Sequence, residues 1–147
     1  MVFDRVIERI RQIKADLTNN READALRIAF DLTALIKLRI QTTGQNAAGS
    51  SFEGYVPAYA RDRRSKGYQV GYVDFTKTGR LMANIRPRIA SSNAFSATVV
   101  IEGEDQRSKD IINGAARKRG NILQASPDEI KLAKEANLSR IEKYFRL

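Results

Sequence analysis

The chain has 147 residues, the size of one ordinary domain, and 42% of them are hydrophobic and 29% charged, as in globular proteins. It contains no Cys and no His, which excludes disulfides, zinc sites built on thiolate or imidazole, and catalysis by Cys or His. Lys and Arg outnumber Asp and Glu by 26 to 17, so the formal charge is +9.

More than half of that net charge lies in residues 44–90, which contain 8 basic and 3 acidic side chains. We therefore expect any surface that faces an anion to come from this middle third. No apolar run is long enough to span a bilayer, and the first residues lack the basic-then-apolar order of a secretory signal. We expect a protein that is made in the cytoplasm and does not enter a membrane.

Residues 1–43 follow helical periodicity. Apolar residues recur at three- and four-residue spacing over 2–17, and again on a wider face over 25–40. The polar tripeptide 18–20 predicts a break, so we expect two helices here. The wide apolar face of the second helix predicts burial on more than one side, either at the centre of the fold or against another copy of the chain.

The next segment mixes a loop, a short helix and a predicted strand. Residues 44–67 predict a loop that is small and Gly-containing at its start, then a short helix that Pro57 opens and Gly67 ends. Residues 68–75 are rich in aromatic and β-branched side chains, which predicts a strand.

The last third predicts a hairpin and two helices. The runs 82–90 and 94–102 predict an antiparallel hairpin, and the second run has the clearest alternation in the chain. Residues 104–116 predict a weaker helix, since Gly114 interrupts the pattern. The tetrapeptide 126–129, Ser-Pro-Asp-Glu, has the sequence of a capping box and predicts the start of the final helix.

The predicted fold class is α+β, in one domain over residues 1–147. N-terminal helices and a C-terminal helix pack on a small antiparallel sheet. The predicted segments are N-terminal helices at 1–43, a loop with a short helix at 44–67, the sheet at 68–103 and C-terminal helices at 104–147.

Motifs for catalysis are weak. Four carboxylates between residues 102 and 110 either meet a cation or form a solvated acidic turn, and the spacing of metal ligands is missing. A small enzyme that uses Asp or Glu therefore ranks behind the binding and structural hypotheses. We expect no catalytic residue, no metal and no cofactor.

Two basic groups are candidate binding residues. Cations beside tyrosines suit single-stranded nucleic acid, whereas the alternative is a solvated face with tyrosines at the edge of the core. Arginines on alternate strand positions form either a basic stripe or protection of a sheet edge. The first group is Arg61, Arg63, Arg64 and Lys66, and the second is Arg80, Arg86 and Arg88.

The long loop over residues 44–66 is a candidate contact between subunits or between rings. It is long, small and polar at its start, and then carries the aromatic residues Phe52, Tyr55 and Tyr59. We expect these three side chains to anchor the contact.

The order of motifs over residues 25–147 resembles the tail-completion, or neck, proteins of long-tailed double-stranded DNA phages. That family shares a helix, a G-x-x-F-x-x-Y-type loop, a strand, an L-x-x-T-G-x-[LM]-type turn, a hairpin and a C-terminal helix. The matching stretches here are 38–46, 49–55, 59–63, 73–82 and 119–129. Two positions depart from the pattern: Phe75 replaces the usual Leu before the turn, and Gly120-Asn121 replaces the usual Pro-Phe.

The resemblance implies a structural virion protein that is not an enzyme. Copies of it, often six, would form a ring at the neck of the virion. The ring would contact the head-side connector or head-completion protein and the tail-tube or tail-terminator protein, and would surround the path of the genomic DNA. A ring multiplies the +9 charge of each subunit, which favours a DNA-filled channel or acidic ring partners. The alternative is a monomeric nucleic-acid-binding module that uses the Arg61–Lys66 cluster.

Overall fold

The computed structural model describes residues 2–146, and it has an α+β fold. Five α-helices lie in the described part: α1 Val2–Thr43, α2 Pro57–Ser65, α3 Arg80–Asn84, α4 Gln106–Arg119 and α5 Pro127–Glu142. The strands β1 Ile85–Ser92 and β2 Ala97–Gly103 form one antiparallel hairpin, and a 3₁₀ turn, Lys143–Phe145, follows α5. The predicted hairpin, short helix and C-terminal helices are thus confirmed.

The predicted break at residues 18–20 is wrong, because α1 is one continuous helix of 42 residues that includes them. Asn20 does not cap a new helix. Its Nδ2 donates to the Asp16 carbonyl oxygen at 2.8 Å, inside the same helix. Arg21 fastens this part of α1 to the hairpin tip, since its guanidinium donates to Ser92 Oγ and to the Ala94 carbonyl, both at 3.1 Å.

The predicted strand at residues 68–75 is also wrong. Its backbone groups bond to side chains instead of to a neighbouring strand. The Tyr72 carbonyl accepts from Gln69 Nε2 at 2.8 Å, and the Asp74 N–H donates to Tyr55 Oη at 3.2 Å. Phe75 has a positive φ of 55°, which ends any extended run.

The core lies between the second half of α1, the base of the hairpin and α4. Ile36 and Ile40 of α1 are fully buried, and Ile85 at the start of β1 and Ile122 after α4 join them. Thus one side of residues 25–40 is buried, while Phe30 and Leu38 on another side are about half exposed. The wide apolar face therefore has a buried side and an open side.

The final helix docks along α1 through polar contacts. The capping box predicted at Ser126 and Glu129 is present, and Glu129 also pairs with Arg39 Nε at 2.7 Å. Further along, Asn137 Nδ2 donates to Asp31 at 2.7 Å. Tyr144 Oη in the 3₁₀ turn donates to Asp24 at 3.0 Å. These contacts hold α5 and the 3₁₀ turn against α1.

Gly44 ends α1 in a conformation that favours glycine. Its φ is +61°, and its N–H donates to the Ile40 carbonyl at 3.0 Å. A Cβ at this position would lie 2.7 Å from Tyr72 Cβ. We expect Gly44→Ala to lower the free energy of unfolding by about 2 kcal/mol, through backbone strain and crowding.

Urea unfolding followed by circular dichroism measures this loss. Gly54→Ala is the matched control, because a Cβ there meets nothing within 4 Å. Equal effects of the two substitutions would contradict the explanation.

Candidate functional site

The described residues form a cleft of about 620 Å³. It lies between α2, the segment 73–81 and α4. Its floor is apolar and is formed by Val73, Phe75, Leu81 and Ile111. Val73 and Leu81 are buried, whereas Ile111 is 41% exposed and open to a ligand. A floor of this kind suits an apolar group of a partner.

The rim of the cleft is basic. No acidic residue is among the described lining residues. The five rim cations are Lys77, Arg80, Arg107, Lys118 and Arg119. Lys77 pairs with Asp62 at 3.7 Å, and Arg80 pairs with Asp105 at 2.8 Å. The other three cations therefore supply most of the positive potential that attracts anions.

The rim cations differ in how firmly they are held. Arg80 pairs with Asp105 at 2.8 Å, and Arg119 Nε donates to the Glu53 carbonyl at 3.2 Å. Within residues 2–146, the side chains of Arg107 and Lys118 have no hydrogen-bond or ion-pair partner. Those two cations are therefore available to an incoming anion.

Asp105 keeps the rim ordered at the start of α4. Its carboxylate caps that helix by accepting from the Ser108 N–H at 2.7 Å. Hydrogen bonds from Ser108 and then from Arg80 hold the pKa of Asp105 well below its usual range. The carboxylate thus stays charged and keeps Arg80 in place.

A buried ion pair lies under one wall of the cleft. Arg63 Nη2 lies 3.1 Å from Asp74 Oδ1, and the side chains are 1% and 9% exposed. Asp74 also accepts from Tyr55 Oη at 2.9 Å and from Gln69 Nε2 at 2.7 Å. The Thr76 N–H donates to it at 3.0 Å. The carboxylate is thus well supplied with donors, as a buried charge requires.

Three tyrosine rings surround the same guanidinium. The Arg63 Cζ lies 4.6 Å from the ring centre of Tyr55, 5.9 Å from that of Tyr59 and 5.4 Å from that of Tyr68. Tyr55 and Tyr59 also meet edge to face, with centres 5.3 Å apart. The tyrosines near the basic cluster therefore surround one arginine, Arg63, and each presents a ring face to its guanidinium.

The contribution of this cluster to stability depends on pH through the pKa of Asp74. Burial alone would raise it, but the hydrogen bonds from Gln69, Thr76 and Tyr55 and the charge of Arg63 together hold it below its usual value. Its contribution to stability is then present above the ordinary carboxyl pKa and is lost as the pH falls through the lowered one.

We therefore expect the stability difference between the natural chain and Asp74→Asn to narrow below about pH 4. Urea unfolding over an acid pH series measures it. A difference that stays constant with pH would contradict the assignment.

The structure separates the basic residues that the sequence grouped. Arg63 is buried, so the expectation that it faces DNA or a neighbouring subunit is corrected. Arg61 and Arg64 are exposed on α2 and have no side-chain partner within residues 2–146, while Lys66 pairs with Asp62 at 2.7 Å. Arg80 lies on the rim of the cleft.

The hairpin arginines share an exposed face, but each has an acidic partner. Arg86 pairs with Glu104 at 3.0 Å, and Arg88 pairs with Glu102. Both pairs are diagonal across the hairpin and solvent-exposed, so they add little to stability. This arrangement places carboxylates beside the predicted basic stripe.

The three aromatic residues of the proposed contact loop differ in how deeply they are buried. Phe52 is 7% exposed, because it packs in the core and meets Phe75 edge to face at 5.7 Å, so the expectation that it anchors an external contact is corrected. Tyr55 and Tyr59 are half-buried and line the cleft. Neighbouring Val56 is 66% exposed at the same wall.

Four rim cations were not among the predicted site residues. A signal for those on α4 exists in the sequence, since 107, 111, 115 and 118 lie on one helical face. The fold brings that face opposite Lys77, which periodicity cannot reveal. The four missed residues are Lys77, Arg107, Lys118 and Arg119.

Two further surfaces expose large apolar side chains. On the first turns of α1, Phe3 is 83% exposed and Ile10 is 60% exposed, and Val6 and Ile7 between them are about half exposed. At the hairpin tip, Phe95 is 94% exposed. Both surfaces leave apolar area in water, as interaction sites do.

Within residues 2–146, no group of three or more acidic side chains is placed to hold a metal ion. No helix in the described part of the chain has the length and apolar character needed to cross a membrane.

Comparison with known proteins gave no match to a family model, to a curated protein or to a solved structure.

Proposed function

We propose that this chain is a structural protein of a tailed phage that forms a homo-oligomeric ring at the head–tail junction. The ring connects the head-side connector to the tail and surrounds the path of the DNA. The ordered motifs that resemble neck proteins support the proposal from the sequence. The observation that carries it is the exposed apolar stripe on the first turns of α1, formed by Phe3, Val6, Ile7 and Ile10.

The α1 stripe has the geometry of a helix–helix contact. Its members are spaced by three, four and seven residues, so they share one face. Residues 3–8 at this end of α1 are exposed, and Arg9 Nη2 donates to the carbonyls of Tyr144 and Arg146. The helix is about 63 Å long at roughly 1.5 Å per residue. Its beginning therefore extends toward solvent, where a neighbour can pack against it.

The flanks of the stripe favour a second copy of the chain as the neighbour. Acidic residues, Asp4 and Glu8, lie among basic residues, Arg5, Arg9 and Arg11. A surface with both signs beside an apolar seam offers opposite charges to another copy of this chain, and in a closed ring it packs on a different face of that copy. A DNA-binding face would instead be uniformly basic.

The hairpin tip supplies a second contact suited to assembly. Phe95 stands at the turn between β1 and β2, and Arg21 holds that turn against α1. An exposed aromatic side chain on an anchored turn is a typical anchor at protein–protein interfaces. It would join a ring subunit to a neighbour or to an adjoining ring.

The charge of the chain suits the DNA path. The net charge of +9 is repeated in every subunit, so a ring concentrates positive potential on its channel. Arg61 and Arg64 are the exposed cations of the original cluster without a side-chain partner among the described residues. The alternative of a nucleic-acid module built on that cluster loses Arg63, which is buried.

A phage that cannot make this chain tests the proposal. We expect a nonsense mutation in its gene, grown in a host without a suppressor, to yield DNA-filled heads and finished tails that stay separate. Electron microscopy of the lysate shows the two populations, and supplying the chain from a plasmid restores joined particles. Normal joined and infectious particles in its absence would overturn the proposal.

A further inference from the structure

We propose that the basic-rimmed cleft between α2 and α4 is a docking site for an acidic segment of another protein that carries a bulky apolar side chain. The apolar side chain would occupy the floor, and the flanking carboxylates would meet the rim. This inference does not depend on the proposed function, because it uses neither the α1 stripe nor the hairpin tip.

Charge complementarity identifies the occupant. Five cations border the cleft, and no described lining residue is acidic. Arg80 and Arg119 are held in place by Asp105 and by the Glu53 carbonyl, while Arg107 and Lys118 are unpaired within residues 2–146. An acidic segment would find two free cations and two oriented ones, which favours association.

The floor makes an apolar anchor part of the recognition. Ile111 is 41% exposed in the cleft beside half-buried Phe75, and the space of about 620 Å³ is large enough for a Phe, Leu or Trp side chain. A well-packed apolar side chain surrounded by polar contacts is the arrangement that dominates binding energy at protein interfaces.

The same floor favours a protein over nucleic acid. Duplex DNA presents its phosphates on the outside and has no apolar group that reaches an enclosed floor. One face of each of the Tyr55 and Tyr68 rings is covered by Arg63, which leaves fewer faces to stack a base. The exposed apolar surfaces of a second copy are also a poor match, because the tip around Phe95 contains no acidic residue and the α1 stripe is flanked by more basic than acidic residues.

The test is a titration of the full isotope-labelled chain, followed by NMR, with a peptide that has Leu-Phe at its centre and two acidic residues on each side. We expect shifts at Ile111, Phe75 and the rim, with a Kd of about 1 mM or tighter. The matched peptide with Ser-Ser at its centre should bind at least about tenfold more weakly. No shifts at the cleft with the first peptide, or equal binding of both, would overturn the proposal.

Two pairs of variants separate the cleft from general attraction to a basic protein. The double variant Arg107→Glu with Lys118→Glu should weaken binding of the acidic apolar peptide at least about tenfold. The control is Arg61→Glu with Arg64→Glu, which changes the net charge by the same amount at exposed residues outside the cleft. This control should change the affinity for the peptide much less. Equal losses would show attraction to net charge alone and would contradict a site.

The floor is tested by Ile111→Asp, with Leu132→Asp on α5 as its control. Both residues are exposed, at 41% and 52%, so both variants should fold, as circular dichroism checks. We expect only Ile111→Asp to abolish peptide binding. If a single-stranded oligonucleotide of equal charge binds the cleft more tightly than the peptide, and Ile111→Asp weakens it, the site takes nucleic acid and the proposal fails.

Discussion

Replacing Asp74 with Ala should lower the free energy of unfolding by about 3–5 kcal/mol, because the change leaves the Arg63 guanidinium buried without its counter-charge. Arg63 is 1% exposed, and Asp74 is its carboxylate partner at 3.1 Å. Tyr55 and Gln69 would also lose the acceptor for their donors. Urea unfolding followed by circular dichroism measures the loss.

The control for this prediction is Asp62, an exposed acidic residue on α2, the helix that contains Arg63. Asp62 pairs with Lys66 at 2.7 Å on the surface of α2, with both side chains more than 40% exposed. We expect Asp62→Ala to have a much smaller effect, because solvent screens exposed pairs. If the two substitutions cost the same, the buried pair does not have the structural importance given to it here.

A pair of substitutions on the α1 stripe should abolish self-association. Ile7→Asp with Ile10→Asp places two charges at the centre of the apolar seam, where a neighbouring copy would bury them unpaired. Sedimentation velocity should show oligomers of the natural chain that increase with concentration, and monomers of the variant at every concentration. Both residues are about half exposed or more, so the fold should be unaffected.

The matched control lies on another helix. Leu132→Asp with Leu138→Asp introduces the same charges on α5, where both side chains are 52% exposed. We expect this variant to associate like the natural chain. Association of the α1 variant, or an equal loss in the α5 variant, would contradict the assignment of the contact to the α1 stripe.

The elements that sequence predicted well are those determined by local signals. The hairpin is predicted by alternation over residues 94–102, and β2 occupies Ala97–Gly103. The start of α5 follows from the capping box of Ser126 and Glu129, which satisfies free N–H groups within four residues. The short helix follows from Pro57, which preorganises a first turn.

The errors arose where tertiary contacts override local preference. The polar tripeptide at 18–20 lowers helix stability only slightly inside a long helix. Arg21, the next residue, bonds to the hairpin tip, which lies at least 71 residues further along the sequence. The aromatic run at 68–75 has strand composition, but its backbone groups bond to side chains of the Asp74 cluster.

The candidate site was missed for a similar reason. Arg63 has the sequence surroundings of an exposed basic cluster, and only the fold shows that it is buried against Asp74. The cleft combines residues from α2, the segment 73–81 and α4, whose spatial proximity is set by packing around Val73 and Leu81. Pattern along the chain does not contain that information.

The most direct test of the central claim, that this chain builds the phage neck through copies of itself, is cryo-electron microscopy of the particle that carries it. We expect density for the chain in a ring between the head-side connector and the tail, with the α1 stripe of each subunit packed against a neighbour. Density for the chain elsewhere in the particle, with none in a ring between connector and tail, would contradict the account.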